Sequence, residues 1–241
     1  MIHKRIIVLW TFLFTAFMAG MIILFSFLCT GEDTAHKVAR IWAKFLLATS
    51  NIKVSLKGFS SFNLHGPHIY MANHTSNFDI HVLQACLPVH FRWLAKAELF
   101  KIPIFGYAMK RAGYISIDRS NKKSAIQSLQ QAAKKNKNGA SVVIFPEGTR
   151  SRDHNVQPFK KGGFVLAVDS GVPIVPVILH GTWKIMPKNQ ILIEPGHVVV
   201  EIKKPIESSD YTRETKGLLM EKIRNVIVES LENAKKNGSL C

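Results

Sequence analysis

Cysteine is scarce in this chain: Cys29, Cys86 and Cys241 are odd in number, far apart and in no C-x-x-C spacing. They suggest neither a disulfide framework nor a zinc site, and they fit a reducing compartment. Acidic residues are also few, 16 Asp+Glu against 32 Lys+Arg, leaving a net charge of +16. So basic a chain points to an anionic partner: nucleic acid, phospholipid headgroups or a phosphorylated small molecule. Internal repeats and low-complexity linkers are missing, and no composition break divides residues 51 to 234. The 241 residues, 47% of them hydrophobic, suffice for one α/β domain with an appendage.

Charge is absent altogether from Ile6 to Cys29, "IIVLWTFLFTAFMAGMIILFSFLC", behind Lys4 and Arg5. That run is long enough to cross a bilayer. A cleaved signal peptide has a shorter apolar region and a small-residue cleavage site, and Leu28 before Cys29 is too large for a lipoprotein box, so the segment is expected to stay. "GEDT" (Gly31 to Thr34) then breaks the helix, with Asp33 or Thr34 placed to cap the next one. Val38, Ile41, Trp42, Phe45 and Leu46 follow at helical spacing opposite Lys37, Arg40 and Lys44. This pattern suits an amphipathic helix lying in the membrane interface, or one packed on the soluble domain. Positive residues flank the apolar run on both sides, which leaves spanning and monotopic topologies open. Residues 1–50 are therefore read as membrane-anchoring helices and 51–241 as the main folded domain.

Beyond Thr49, short β-rich runs alternate with helical patterns, the signature of an α/β sheet covered by helices. The predicted strands are Ile52–Leu56, His68–Ala72, Tyr114–Ile117, Ser141–Phe145, Ile174–Leu179, Ile191–Ile193 and Val198–Ile202. Ala125, Ile126, Leu129, Ala132 and Ala133 form a helical stripe ended by Gly139, as a crossover between strands requires. Leu219, Ile223, Val226, Ile227 and Leu231 predict a closing helix.

"YMANHTSNFD", Tyr70 to Asp79, places His74 in the turn leaving a strand and Asp79 in the first turn of the helix that Ser76 or Asn77 would cap. A carboxylate bonded to one imidazole nitrogen fixes the tautomer and makes the other nitrogen more basic, so that it can take a proton from a hydroxyl. Spacing alone also allows a helix cap beside an incidental histidine, or a metal pair completed by His81. "VVIFPEGTR", Val142 to Arg150, sends another strand into a turn carrying Glu147, Gly148, Thr149 and Arg150. Gly148 lets backbone approach a ligand, and Arg150 can hold a phosphate bidentately. "GYISIDR", Gly113 to Arg119, delivers Asp118 and Arg119 from a third strand exit, the edge where open α/β sheets bind ligands.

Taken together, these blocks resemble the glycerolipid acyltransferase family. "NHTSNFD" matches its histidine, any four, aspartate signature at His74 and Asp79; "GYISIDR" and "FPEGTRS" match its second and third blocks, and "VPIVPV", Val172 to Val177, its fourth. "KAELFKIPIFG", Lys96 to Gly106, is similar to the segment usually found before the second block. The resemblance runs from about Leu56 to Val200. One departure is "SRDHNVQPFKKG", where Asp153, His154 and Asn155 replace a turn that commonly holds glycine.

The resemblance implies an α/β fold with a mixed, mostly parallel central sheet flanked by helices, behind an N-terminal membrane-associated two-helix segment. It implies transfer of a fatty acyl group from acyl-CoA or acyl carrier protein to the sn-2 hydroxyl of lysophosphatidic acid, giving phosphatidic acid without an acyl-enzyme. His74 would be the base and Asp79 its partner, with backbone N–H groups near His74 or Gly148 as oxyanion donors. Arg119 and Arg150, with Lys96, would hold the acceptor phosphate, and Glu147 would meet the glycerol hydroxyl or order Arg150. Lys160 and Lys161 read as solvated before they read as donor-phosphate contacts. No cofactor or metal is implied. The place implied is a phospholipid membrane, the bacterial inner membrane, with the catalytic domain on the cytoplasmic side. Within the family the acceptor alternatives are a lyso-ornithine lipid, another lysophospholipid or glycerol 3-phosphate. In a different class stands a non-catalytic basic protein that binds membrane or nucleic acid, although no nucleic-acid module is recognisable and such a protein leaves the His74/Asp79 pair unexplained.

Overall fold

A computed structural model describes residues 9–11, 13–21, 32–62, 66–118, 127–128, 134 and 140–238. Its centre is a seven-stranded sheet of β1 (Ile52–Lys57), β2 (Ile69–Ala72), β3 (Phe91–Lys96), β4 (Ile115–Ile117), β5 (Ser141–Ile144), β6 (Ile174–His180) and β7 (Gly196–Ile202). The spatial order is β1-β7-β6-β2-β5-β3-β4, and only β6 with β7 pairs antiparallel. This is the mixed, mostly parallel sheet expected from the sequence. The described helices are α1 (Glu32–Thr49), α2 (Phe78–Cys86), α3 (Phe105–Arg111), α4 (Gly162–Ser170), α5 (Thr182–Ile185) and α6 (Lys216–Lys236), and residues 13–21 are also helical.

Both faces of the sheet are covered, so its central strands are apolar throughout and the period-2 alternation sorts their side chains between two cores. Tyr70, Ala72, Val143 and Val175 face α1 and α2, meeting Ala43, Leu47, Phe78 and Val82. Ile69, Met71, Val142 and Ile144 face α4 and α6, meeting Phe164, Leu166, Leu219 and Ile223. At about 25 cal/mol per Å² of buried apolar surface, these two layers dominate the stabilisation of the fold.

Several sequence expectations need correction. β3 was not predicted, because Arg92 interrupts its apolar run; the buried guanidinium meets the Asp33 carboxylate at 3.3 Å, which makes its burial tolerable. Ile191–Ile193 is no strand: both edges of β7 are already paired, with β1 and β6, and the segment joins no ladder. Asp33 and Thr34 sit inside the first turn of α1 rather than capping it. The buried stripe of α1 is Ala35, Ala39, Ala43, Leu46 and Leu47, while Ile41 and Phe45 stay exposed. Small residues decide this face, because Ala35 and Ala39 pack closely with Ala19, Ala108 and Ala112. The crossover stripe from Ala125 to Ala133 lies almost wholly outside the described residues. Of Ile6–Cys29 only 9–11 and 13–21 are described, and no helix among the described residues is long and apolar enough to cross a membrane.

Candidate active site

Parallel pairing of β2 with β5, with Tyr70 opposite Val143 and Met71 opposite Ile144, brings two strand exits side by side. His74 leaves one and Glu147 the other. On the opposite flank, the buried Asn73 amide donates to Leu179 O at 3.0 Å and accepts the Leu179 N–H at 2.8 Å, bonding to β6 as a strand residue would. His74 is thereby launched from a fixed point.

The His74 Nδ1 donates to Asp79 Oδ2 at 2.8 Å. The same oxygen accepts the N–H groups of Thr75 at 2.7 Å and Ser76 at 2.9 Å, and the Asp79 side chain is fully buried. A carboxylate accepts and cannot donate, so Nδ1 carries the imidazole proton and Nε2 keeps its lone pair for a substrate. The ring itself lies flat on Phe145, centroids 3.9 Å apart and planes 11° from parallel, and Phe145 stacks on Trp93. Helix α2 starts as predicted, with Asn77 at its N-cap position, although it is Ser76 Oγ that accepts the Phe78 N–H. His81 packs its ring against Trp42 and Phe78, and no group of three or more His, Cys, Asp or Glu among the described residues is placed to hold a metal ion.

Glu147 is buried, and its carboxylate spans two loops: Oε1 accepts the His74 N–H at 2.6 Å and Oε2 the Gln157 N–H at 2.8 Å. Burial pushes its carboxyl up to about 7 despite these two bonds. Each oxygen thus accepts one backbone N–H, which ties the Glu147 side chain to His74 and to the loop at Gln157. The proposed oxyanion donors are similarly occupied, since the N–H groups of His74, Thr75 and Ser76 serve Glu147 and Asp79, and that of Gly148 goes to Phe145 O at 3.0 Å. Gly148 has φ 74, a conformation that explains glycine at this turn. Beyond the turn, His154 takes the left-handed conformation, φ 65, in the loop where a glycine is common, and stacks on Trp183 at 4.2 Å.

Arg150 donates to Lys188 O at 3.4 Å, and burial lowers its pKa from the ordinary arginine range. In return Lys188 Nζ donates to Thr149 Oγ1 at 3.1 Å and Arg150 O at 2.7 Å. Lys188 had no signal in the sequence reading, because it follows β6 in an irregular segment that only folding brings to the turn. Lys96 ends β3 with its side chain exposed and paired to Glu98 at 3.1 Å. Arg119 lies outside the described residues; Asp118, just past β4, is described.

His74, Lys96, Gly148, Thr149 and Arg150 all line one cavity of about 650 Å³. That volume falls within the ~300–1,000 Å³ typical of small-molecule sites. Away from the dyad its walls turn apolar: Met18, Ala19, Ala39, Trp42, Leu99, Phe105, Ala108 and Met109. Gln84 enters that wall as a buried polar group, with its Oε1 taken by Trp93 Nε1 at 2.8 Å and Tyr114 OH at 3.2 Å.

The profile of the family described as Acyltransferase matches residues 51–180, from the start of β1 to the end of β6. The chain belongs to the acyltransferase family. The chain is 37% identical over 198 residues to the chloroplastic 1-acyl-sn-glycerol-3-phosphate acyltransferase of Brassica napus, covering 81% of its own length and 56% of the plant protein. It is 33% identical over 213 residues to a 1-acyl-sn-glycerol-3-phosphate acyltransferase of Saccharomyces cerevisiae, covering 86% and 70%. The chain thus spans little more than half the length of the plant relative. Its fold matches the crystal structure of the 1-acyl-sn-glycerophosphate (LPA) acyltransferase, PlsC, from Thermotoga maritima with a TM-score of 0.81 and 27% identity, covering 97% of both chains. The span that matches the family, residues 51–180, includes His74, Asp79, Lys96, Arg119 and Arg150.

Proposed function

We propose that the protein transfers a fatty acyl group from acyl-CoA or acyl carrier protein to the sn-2 hydroxyl of lysophosphatidic acid, making phosphatidic acid. The observation that carries this reading is a His74–Asp79 dyad whose imidazole lines a largely apolar cavity of about 650 Å³ that Lys96 and Arg150 also line. The cavity accommodates an acyl chain, and the cations meet a phosphate. In the reaction, Nε2 of His74 takes the proton of the acceptor hydroxyl as its oxygen attacks the thioester carbonyl. Asp79 stabilises the imidazolium that results. The carbon–sulfur bond then breaks and the imidazolium returns the proton to the departing thiolate, so no covalent acyl-enzyme forms. Arg150 and Lys96, with Arg119, hold the acceptor phosphate. The relatives described as 1-acyl-sn-glycerol-3-phosphate acyltransferases support this choice of acceptor.

Residues 1–50 serve as the membrane anchor of a 51–241 catalytic domain, on the cytoplasmic side of a bacterial inner membrane. The uncharged Ile6–Cys29 run and the net charge of +16 support that placement. The test is an assay of purified protein with acyl-CoA or acyl carrier protein and a panel of lysophosphatidic acid, lysophosphatidylcholine, a lyso-ornithine lipid and glycerol 3-phosphate. The expected result is phosphatidic acid as the dominant product. Equal or better use of an acceptor without a phosphomonoester overturns the assignment.

A further inference from the structure

The segment between β3 and α3 carries an outlier that the chemistry does not use. Ile104 has φ 63 and ψ −61, and the Phe105 N–H bonds back to Pro103 O at 2.6 Å, closing a three-residue turn. That turn is strained for any L-residue, and more so for a β-branched one. The strain is locked in from both sides. Gly106 donates to Ile102 O at 2.8 Å, and a Cβ there would sit 2.3 Å from Phe100 O, so the chain folds back where only glycine fits. What the strain achieves is exposure: Ile102 is 46%, Ile104 53% and Tyr107 45% accessible, whereas Leu99 and Phe105, on either side of the turn, line the cavity.

The same division recurs around the cavity. In the helical stretch 13–21, Met18 and Ala19 line it while Leu13 and Phe17 are exposed; in α1, Ala39 and Trp42 line it while Ile41 is exposed. Three segments that build the cavity thus each hold large apolar side chains outward. Around the turn, Lys96, Lys101 and Lys110 are exposed, and Glu98, the acid in this stretch, is paired with Lys96. Strained, exposed apolar residues among lysines match a surface that is oily beneath and anionic at its face.

We infer that Ile102, Ile104 and Tyr107 insert into an anionic phospholipid bilayer as a contact separate from residues 1–50, seating the cavity on the leaflet from which a lipid chain enters. This rests on the acyltransferase reading for its purpose, not for its physics.

The full-length protein tests it, with Cys29, Cys86 and Cys241 changed to alanine and an environment-sensitive fluorophore attached through Ile104→Cys or, as control, through Glu221→Cys on α6. On vesicles of phosphatidylglycerol and phosphatidylethanolamine, the label at 104 shifts to the blue and is quenched by spin-labelled lipid, and the label at 221 is not. A label at 104 that stays unquenched on vesicle-bound protein overturns the inference. So does a blue shift that appears without vesicles and grows with protein concentration, which assigns the surface to a second copy of the chain. Ile104→Gly supplies the second reading, since glycine accepts φ 63 freely. Its melting temperature stays level or rises, transfer to acceptor in detergent is kept, and transfer to acceptor in vesicles falls about threefold or more, in line with losing burial of one isoleucine. A lower melting temperature with equal losses in both formats would make Ile104 merely structural and sink the proposal. Quenching at 104 in a protein that transfers no acyl group would leave this surface standing and remove the functional reading instead.

Discussion

Glu147 Oε1 accepts the backbone N–H of His74 at 2.6 Å, so the turn after β5 holds the base that leaves β2. Its partner oxygen fastens Gln157 in the loop that follows. One buried carboxylate thus joins three stretches of chain around the His74 imidazole, and its raised pKa gives it a pH signature.

Because burial lifts Glu147 from an ordinary 4.5 to about 7, the folded state binds more protons than the unfolded state between those values. Its contribution to stability is full below pH ~4.5 and is lost as pH rises through about 7. The loss is at most about 3.5 kcal/mol, about 2.5 pH units at roughly 1.4 kcal/mol per unit. Glu147→Gln cannot titrate, so urea melts of both proteins should show the wild type losing ground to the variant across that window. With one acceptor gone, kcat of Glu147→Gln should fall on the order of tenfold. A pH-independent difference between the two would show that Glu147 does not titrate there.

His74→Ala should abolish transfer while folding persists, a loss of at least ~10²–10⁴-fold in kcat. Asp79→Asn keeps an oxygen for the Thr75 and Ser76 N–H groups but gives up stabilisation of the imidazolium, so kcat falls steeply with little change in melting temperature. Single-turnover rates check both. Near wild-type transfer by His74→Ala ends the general-base mechanism.

Arg150→Ala and Arg119→Ala should raise KM for the phosphorylated acceptor about 10- to 100-fold, the worth of a charged hydrogen bond, with donor KM as the internal control. Lys188→Met should raise it less, because Lys188 holds the Arg150 backbone and Thr149 hydroxyl. Unchanged acceptor kinetics in both arginine variants would remove them from the phosphate site.

Phe145→Leu removes the plane on which the imidazole lies while keeping an apolar side chain there. Stacking of this kind contributes about 0.5–1.5 kcal/mol, so kcat should fall about two- to tenfold with both KM values near wild type. A change confined to KM would mean that the ring shapes the cavity and leaves His74 unaffected.

The strand exits carrying His74, Glu147 and Arg150 could be read in the sequence because each is a local event: an apolar run ends, and polar residues follow at fixed distances. The parallel neighbours β2 and β5 then bring them together. β3 escaped because Arg92 breaks its pattern, and the ion pair that reconciles Arg92 with burial comes from Asp33, far away in the chain. Lys188 escaped for the same reason, since its partners Thr149 and Arg150 become neighbours only through the fold. In α1 the large apolar Ile41 and Phe45 stay exposed and small residues carry the packed face, which a hydrophobic pattern weighted by large residues does not reveal, because alanines set how closely Ala39 and Ala108 can come.

The way Asp79 is held shows what "HTSNFD" encodes. Its Oδ2 takes backbone N–H groups from Thr75 and Ser76, a demand on the backbone alone, whereas the buried hydroxyls of the same two residues bond Thr182 Oγ1, Met186 O and the Phe78 N–H. The count matters as well: Oδ2 meets the Nδ1 of His74 and the N–H groups of Thr75 and Ser76 at once, so one insertion or deletion in the turn between His74 and Asp79 would pull the carboxylate off the imidazole. The motif therefore carries two kinds of information, a spacing that aims Asp79 at the imidazole and two hydroxyls that fasten the turn to the segment around Thr182 and Met186.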